Sequence, residues 1–193
     1  MIQKQNSTLV YNWNEIEKAS ISILTQMYKI KWLPDYIVGI TRGGLPMAVM
    51  LSHMIDCPMH TLSVRLRDHK DTETNCWMSI DAFGYNDSDI TNITGARWDP
   101  RLRKNILIVD DINDSGETFR WIKEDWQTTC FPNETSVWKS IWNNNVKFAV
   151  IDNNAASTFE DVDFFYNTID KSKNEEGQWL VYPWEVVGEY PNS

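Results

Sequence analysis

The sequence has no apolar run long enough to span a bilayer. Its opening stretch, MIQKQNSTLVYNWNEIEK, lacks the apolar h-region of a secretory signal, so no signal peptide is expected. Cysteine is scarce and odd in number. Cys57, Cys76 and Cys130 share neither CxxC nor metal-ligand spacing, which predicts free thiols in a reducing, cytoplasmic compartment. Basic residues are outnumbered, 18 against 27 acidic. The resulting net charge of -9 argues against a nucleic-acid partner, since phosphate contacts dominate that affinity. It leaves room for a small anionic substrate, because a local site can oppose the net field. There is no GxxxxGK[ST] phosphate loop, no internal repeat and no linker, so residues 1–193 read as one domain. Tryptophan, by contrast, is plentiful at ten residues. Most of these suit core or surface anchoring, and one or two would suit stacking on a flat ligand.

What is present alternates between strand-like and helix-like segments. Trp13, Ile16, Ile23 and Met27 recur at helical spacing behind an Asn12/Glu15 cap pair, predicting a helix over 13–30. YIVGI, Tyr36 to Ile40, is a short apolar run of strand length. TRGG follows, and Pro46 opens a helix with Met47, Met50, Leu51 and Met54 on one face. MHTLSVRL alternates like a strand, and 69–98 is polar and weakly periodic, a loop long enough to be functional. ILIV, a helix carrying Phe119, Ile122 and Trp126, a helix over 135–143, the strand VKFAVI and the late strand in QWLVYPWE complete the chain. Such alternation predicts an α/β fold, a parallel central sheet flanked by helices. Ligands bind such sheets beyond the C-terminal strand ends, here after Ile40, Val109 and Ile151.

The stretch ILIVDDINDSGET, Ile106 to Thr118, carries the most chemistry. An apolar strand runs into two aspartates, and a glycine-containing turn with two hydroxyls then opens a helix. Backbone N–H groups at a helix start bind phosphate without any Lys or Arg. Paired carboxylates accept hydrogen bonds from vicinal hydroxyls such as those of a ribose. The segment therefore reads as a sugar-phosphate holder. For Asp114 the spacing to Glu117 fits a helix cap.

ILIVDDINDSGET resembles the thirteen-residue phosphoribosyl-pyrophosphate (PRPP) motif of the type I phosphoribosyltransferases. YIVGITRGGLPMAVMLSHMID resembles that family's upstream pyrophosphate-loop segment, and QWLVYPWE the C-terminal segment of its hypoxanthine/xanthine-guanine branch. The resemblance implies a Mg²⁺-dependent transfer of the phosphoribosyl group from PRPP to a purine, 6-oxopurines favoured, with release of pyrophosphate. It implies that Asp110 and Asp111 hold the ribose hydroxyls directly and through Mg²⁺. Ser115, Gly116, Glu117 and Thr118 would cradle the 5′-phosphate, with the Glu117 side chain turned outward, and Asp114 would serve the base's ring nitrogen and PRPP. Thr41, Arg42, Gly43 and Gly44 would take the pyrophosphate, with a cis Thr41–Arg42 bond expected. Trp179 would stack on the base or else pack in the core, Leu180 would meet the ring edge, and Glu185 would help hold a second Mg²⁺. Arg65 and Arg67 would close over the diphosphate or be plain surface charges, and 69–98 would form a mobile hood. A homodimer is also implied.

The sequence departs from the family at one point. The branch places a Lys after the strand ending at Ile151 to read the 6-oxo group, and IDNNAAS has none. Asn154, with Asn153 next, is the expected polar contact, and weaker discrimination among bases is the expected consequence. Transfer to another nucleobase, or a PRPP- or nucleotide-sensing regulator without turnover, are the competing readings.

Overall fold

The computed structural model describes residues 8–64, 76–84, 99–130, 135–172 and 179–185. Helix α1 (Trp13–Lys29) begins with a full capping box: the Asn12 side chain accepts from the Glu15 N–H, and Glu15 reaches back to the Asn12 N–H. Its apolar stripe, Ile16, Ala19, Ile23 and Met27, is completely buried. Strand β2 (Tyr36–Ile40) leads through TRGG into α2 (Leu45–Ile55), which buries Met47, Ala48 and Leu51 and leaves Met54 toward solvent. Strand β3 (Met59–Leu62), helix α3 (Cys76–Phe83), strand β4 (Ile106–Asn113), helix α4 (Glu117–Asp125), helix α5 (Thr135–Asn144) and strands β5 (Val146–Asn154) and β6 (Phe164–Ile169) follow.

Strands β2 to β6 form one parallel sheet in the order β3-β2-β4-β5-β6. Alternation of side chains across it divides the core in two. Tyr36, Val38, Ile106, Ile108, Phe148 and Val150 face one layer with α3, α4 and α5. Ile37, Leu107, Val109, Ala149 and Ile151 face the other, with α1 and α2. In the first layer Trp142 stacks on both Trp126 and Trp138, which meet each other at a tilt. A second sheet pairs β1 (Thr8–Val10) in parallel with β7 (Trp179–Val181).

The strand β6 was not expected from the sequence, and three further segments differ from the sequence expectation. Strand β4 does not stop at Val109 but runs through the acid pair to Asn113, because Asp110, Ile112 and Asn113 keep pairing with Val150, Asp152 and Asn153 of β5. Strand β5 likewise runs past Ile151 to Asn154, since β6 pairs along it as far as Ile169. Within 69–98, Cys76–Phe83 is a helix whose Met78, Ala82 and Phe83 are core residues. The rest of that expected hood, with Arg65 and Arg67, lies outside the described residues.

Candidate active site

After β2 the chain steps outward to β3; after β4 it steps the other way to β5 and β6. The switch point thus falls between β2 and β4, where a doubly wound sheet opens a crevice at its C-terminal edge. The TRGG loop leaves one side of it and DDINDSGET the other. Thr41–Arg42 is a cis peptide, as expected. The Thr41 N–H donates to Leu62 O at 2.9 Å and the Gly44 N–H to Ile40 O at 3.0 Å, so the loop is pinned to the sheet. Neither glycine has room for a side chain. A Cβ on Gly44 would collide with the Val109 carbonyl and Asp110 Cα, and one on Gly43 would collide with the Asp111 carboxylate. The pyrophosphate-loop candidate and the acid pair are therefore in direct contact.

Asp110 and Asp111 are half-buried in the second half of β4, and the Asp111 N–H donates to Asp110 Oδ1 at 3.0 Å. Burial first, then the neighbouring Asp111 charge, holds the Asp110 carboxyl well above its usual range. Burial, then the charge of Glu185, pushes Asp111 up to about 6. Glu185 itself is fixed by accepting from the Tyr182 N–H at 3.0 Å. The expected metal-site acids are thus electrostatically crowded in the free protein. A carboxyl raised in this way keeps its proton in the fold after the unfolded chain has lost it. The folded state therefore loses stability, through this group, as pH rises from about 4 to about 6, and the effect is absent below both values. Melting curves of wild type and Asp111→Asn should diverge over that window, wild type becoming the relatively less stable of the two. A gap independent of pH would contradict the crowding.

The turn beyond the acids is braced from one side. Gly116 has φ +84°, a conformation suited to glycine, and a Cβ there would strike Phe159 and Ser157. Thr158 donates to Ser115 O through its N–H (3.2 Å) and its hydroxyl (2.7 Å). Gly116 is the N-cap of α4 with no side-chain cap, and Ser115 Oγ accepts from the Glu117 N–H at 3.3 Å. Asp114 is consequently not the helix cap. Glu117 is exposed in the first turn, where a negative charge complements the helix dipole. Thr118 lies one residue further into the same turn.

Asp114 instead faces β5 and β6. Its Oδ1 accepts from Asn154 Nδ2 at 3.2 Å, and its Oδ2 pairs with Lys171 Nζ at 3.0 Å. Asn154, expected at the base edge, is committed within the protein at both ends. Its amide donates to Asp114, and its Oδ1 accepts from the Ala156 and Lys171 N–H groups. Its observed part is to hold Asp114. Lys171 is the residue missed from sequence: it lies 57 positions from Asp114, just past a strand that polar alternation concealed. Lys147, the other lysine of this region, is paired with Asp163 at 2.7 Å. On β7, Leu180 is buried whereas Trp179 is 69% exposed, which removes the core-packing reading of that tryptophan.

The family model of the phosphoribosyl transferase domain matches residues 7–181. Among solved structures, the chain is similar to a purine phosphoribosyltransferase from Pyrococcus horikoshii, at 19% identity and TM-score 0.61, covering 96% of this chain and 99% of that one. It is similar to a xanthine-guanine-hypoxanthine phosphoribosyltransferase from Helicobacter pylori, at 17% identity and TM-score 0.57, covering 94% and 95%. It is also similar to a hypothetical protein from Neisseria gonorrhoeae solved with bound ppGpp, at 18% identity and TM-score 0.53, covering 96% and 93%. No curated protein sequence gives a significant match. At these identities the likeness speaks for the fold, while the family match spans most of the sequence. The chain belongs to the phosphoribosyltransferase domain family, a family of transferases.

Proposed function

We propose that the protein transfers the 5-phosphoribosyl group from PRPP to a 6-oxopurine and releases pyrophosphate. The observation that carries this is the meeting of the TRGG loop and the Asp110–Asp111 pair at the sheet's switch point, with Gly43 set against the Asp111 carboxylate. Asp110 and Asp111 would accept from the ribose hydroxyls, and the 115–118 turn would receive the 5′-phosphate on its amides. Among the described residues, no cluster of three or more potential metal-ligating side chains closes on a single point. Mg²⁺ keeps waters and substrate oxygens among its ligands; Asp110 and Asp111 would hold one ion, and Glu185 would help hold a second beside the pyrophosphate. When bound, Mg²⁺ would neutralise charge on the departing diphosphate. The C1–oxygen bond to pyrophosphate breaks, a C1–nitrogen bond to the base forms, and Asp114 exchanges the proton with the base. The exposed face of Trp179 suits stacking on the base. The proposal includes a cytoplasmic homodimer. No helix among the described residues is long and apolar enough to cross a membrane.

Lys171 supports the 6-oxo assignment and revises the expectation of weak discrimination. N7 and O6 lie side by side on one edge of a 6-oxopurine. If Asp114 serves N7, an ammonium 3.0 Å from Asp114 is within reach of O6. Ammonium only donates, so it accepts a carbonyl oxygen as partner and opposes the 6-amino group of adenine. Lys171→Met should therefore lower the preference for hypoxanthine and guanine over adenine by about 10- to 100-fold. Turnover ratios across the three bases measure this, and an unaltered preference would remove Lys171 from base recognition.

A further inference from the structure

Asp152 is fully buried near the C-terminal end of β5, and among the described residues its three hydrogen-bond partners are all neutral. Oδ1 accepts from the Tyr11 hydroxyl at 2.7 Å and from Asn167 Nδ2 at 3.1 Å; Oδ2 accepts from the Tyr182 hydroxyl at 2.7 Å. Burying a carboxylate costs far more than burying an apolar residue of similar size, so stability alone does not account for it. Its partners suggest what it does. Tyr11 follows β1 and Tyr182 follows β7, and because the two strands are parallel the tyrosines lie side by side at one end of the small sheet. Their rings stack at 5.3 Å, and the Tyr11 N–H donates to Val181 O at 2.9 Å. Tyr182 also stacks on Trp184 at 5.1 Å, donates its N–H to Glu185, and brings its hydroxyl to 3.4 Å from the Asp111 carbonyl.

We infer that Asp152 is a positioning residue that clasps the small sheet onto the main one, fixing Trp179, Leu180 and Glu185 relative to the acids of β4. The inference rests on the proposed function for the meaning of those residues. Two carboxylate oxygens accept all three donors at once, which no neutral side chain of that size does. Asn167 lies in the main sheet and Tyr182 directly follows the small one, so the carboxylate joins them; Asn167 Nδ2 also donates to the Tyr11 hydroxyl at 3.4 Å. The turn that holds Ser115 and Gly116 is braced separately by 157–159 and does not depend on the clasp.

The test compares Asp152→Ala and Asp152→Asn with wild type. In Asp152→Ala, the KM for the base should rise roughly tenfold, the scale of one lost charge-assisted hydrogen bond. Affinity for ribose 5-phosphate, which reaches only the β4 acids and the β4–α4 turn, should stay within about twofold of wild type. Asp152→Asn should recover part of the loss, because one amide oxygen still takes the Tyr11 and Asn167 donors. Amide hydrogen exchange at 179–181 should quicken in Asp152→Ala while β4 keeps its protection. Equal loss of both affinities, or wild-type exchange at 179–181, would overturn the clasp. If Asp152→Ala does not accumulate as folded protein, Tyr11→Phe removes one hydroxyl from the same carboxylate and is judged by the same readouts. Wild type without turnover on any base would sink the functional reading, and the exchange experiment would still decide the clasp.

Discussion

Replacing Asp110 and Asp111 together by Asn should abolish PRPP binding and leave the fold intact. Each carboxylate would accept from a ribose hydroxyl or meet Mg²⁺. Charge-assisted hydrogen bonds contribute about 1.5–3 kcal/mol each, so loss of both weakens binding by at least about 100-fold. The fold should not suffer, because burial and mutual proximity already make ionisation of these two groups unfavourable. Two amides of the same shape relieve that repulsion, and the double variant should melt no lower than wild type at neutral pH. Calorimetry with PRPP and Mg²⁺, run beside a thermal melt, reads both parts. Unchanged PRPP affinity would refute the ribose role, and a collapsed melt would show that the pair is structural.

The second large effect belongs to Asp114. If it exchanges a proton with the base, Asp114→Asn lowers turnover by about 100- to 10,000-fold, the usual range for general acid–base groups. PRPP affinity should change little. The competing helix-cap role predicts instead a loss of about 1 kcal/mol of stability with turnover kept. Because Gly116 occupies the cap position and Asp114 reaches across to Asn154 and Lys171, the stability cost should be small. Turnover and melting temperature measured on the same variant separate the two. A stable variant with wild-type turnover would remove Asp114 from the chemistry.

Local signals in the chain were legible and long-range ones were not. Whereas the cis bond before Arg42 was expected from the family resemblance alone, the capping box at Asn12 and Glu15, the bounds of β2 and the proline-opened helix all depend on neighbouring residues. The acid pair and turn were readable for the same reason. Strand β6 was hidden because Asn167 and Thr168 interrupt its apolar pattern, and the reach of β4 and β5 past their apolar stretches followed from pairing with each other. The Lys171–Asp114 pair and the Asp152 clasp join residues far apart in sequence, through β6 and the small sheet, so neither leaves a trace in local pattern. Asn154's partners were hidden on the same account, since they come from the turn before α4 and the end of β6.

The most direct measurement is pyrophosphate release from PRPP and Mg²⁺ with a panel of free bases: hypoxanthine, guanine, xanthine, adenine, uracil and orotate. The account predicts release that depends on Mg²⁺, is greatest with a 6-oxopurine and is lost in the Asp110→Asn/Asp111→Asn variant. Clear preference for uracil or orotate over every purine would contradict the purine assignment. Tight PRPP binding without turnover on any base would contradict transfer itself and favour a sensor built on the same fold.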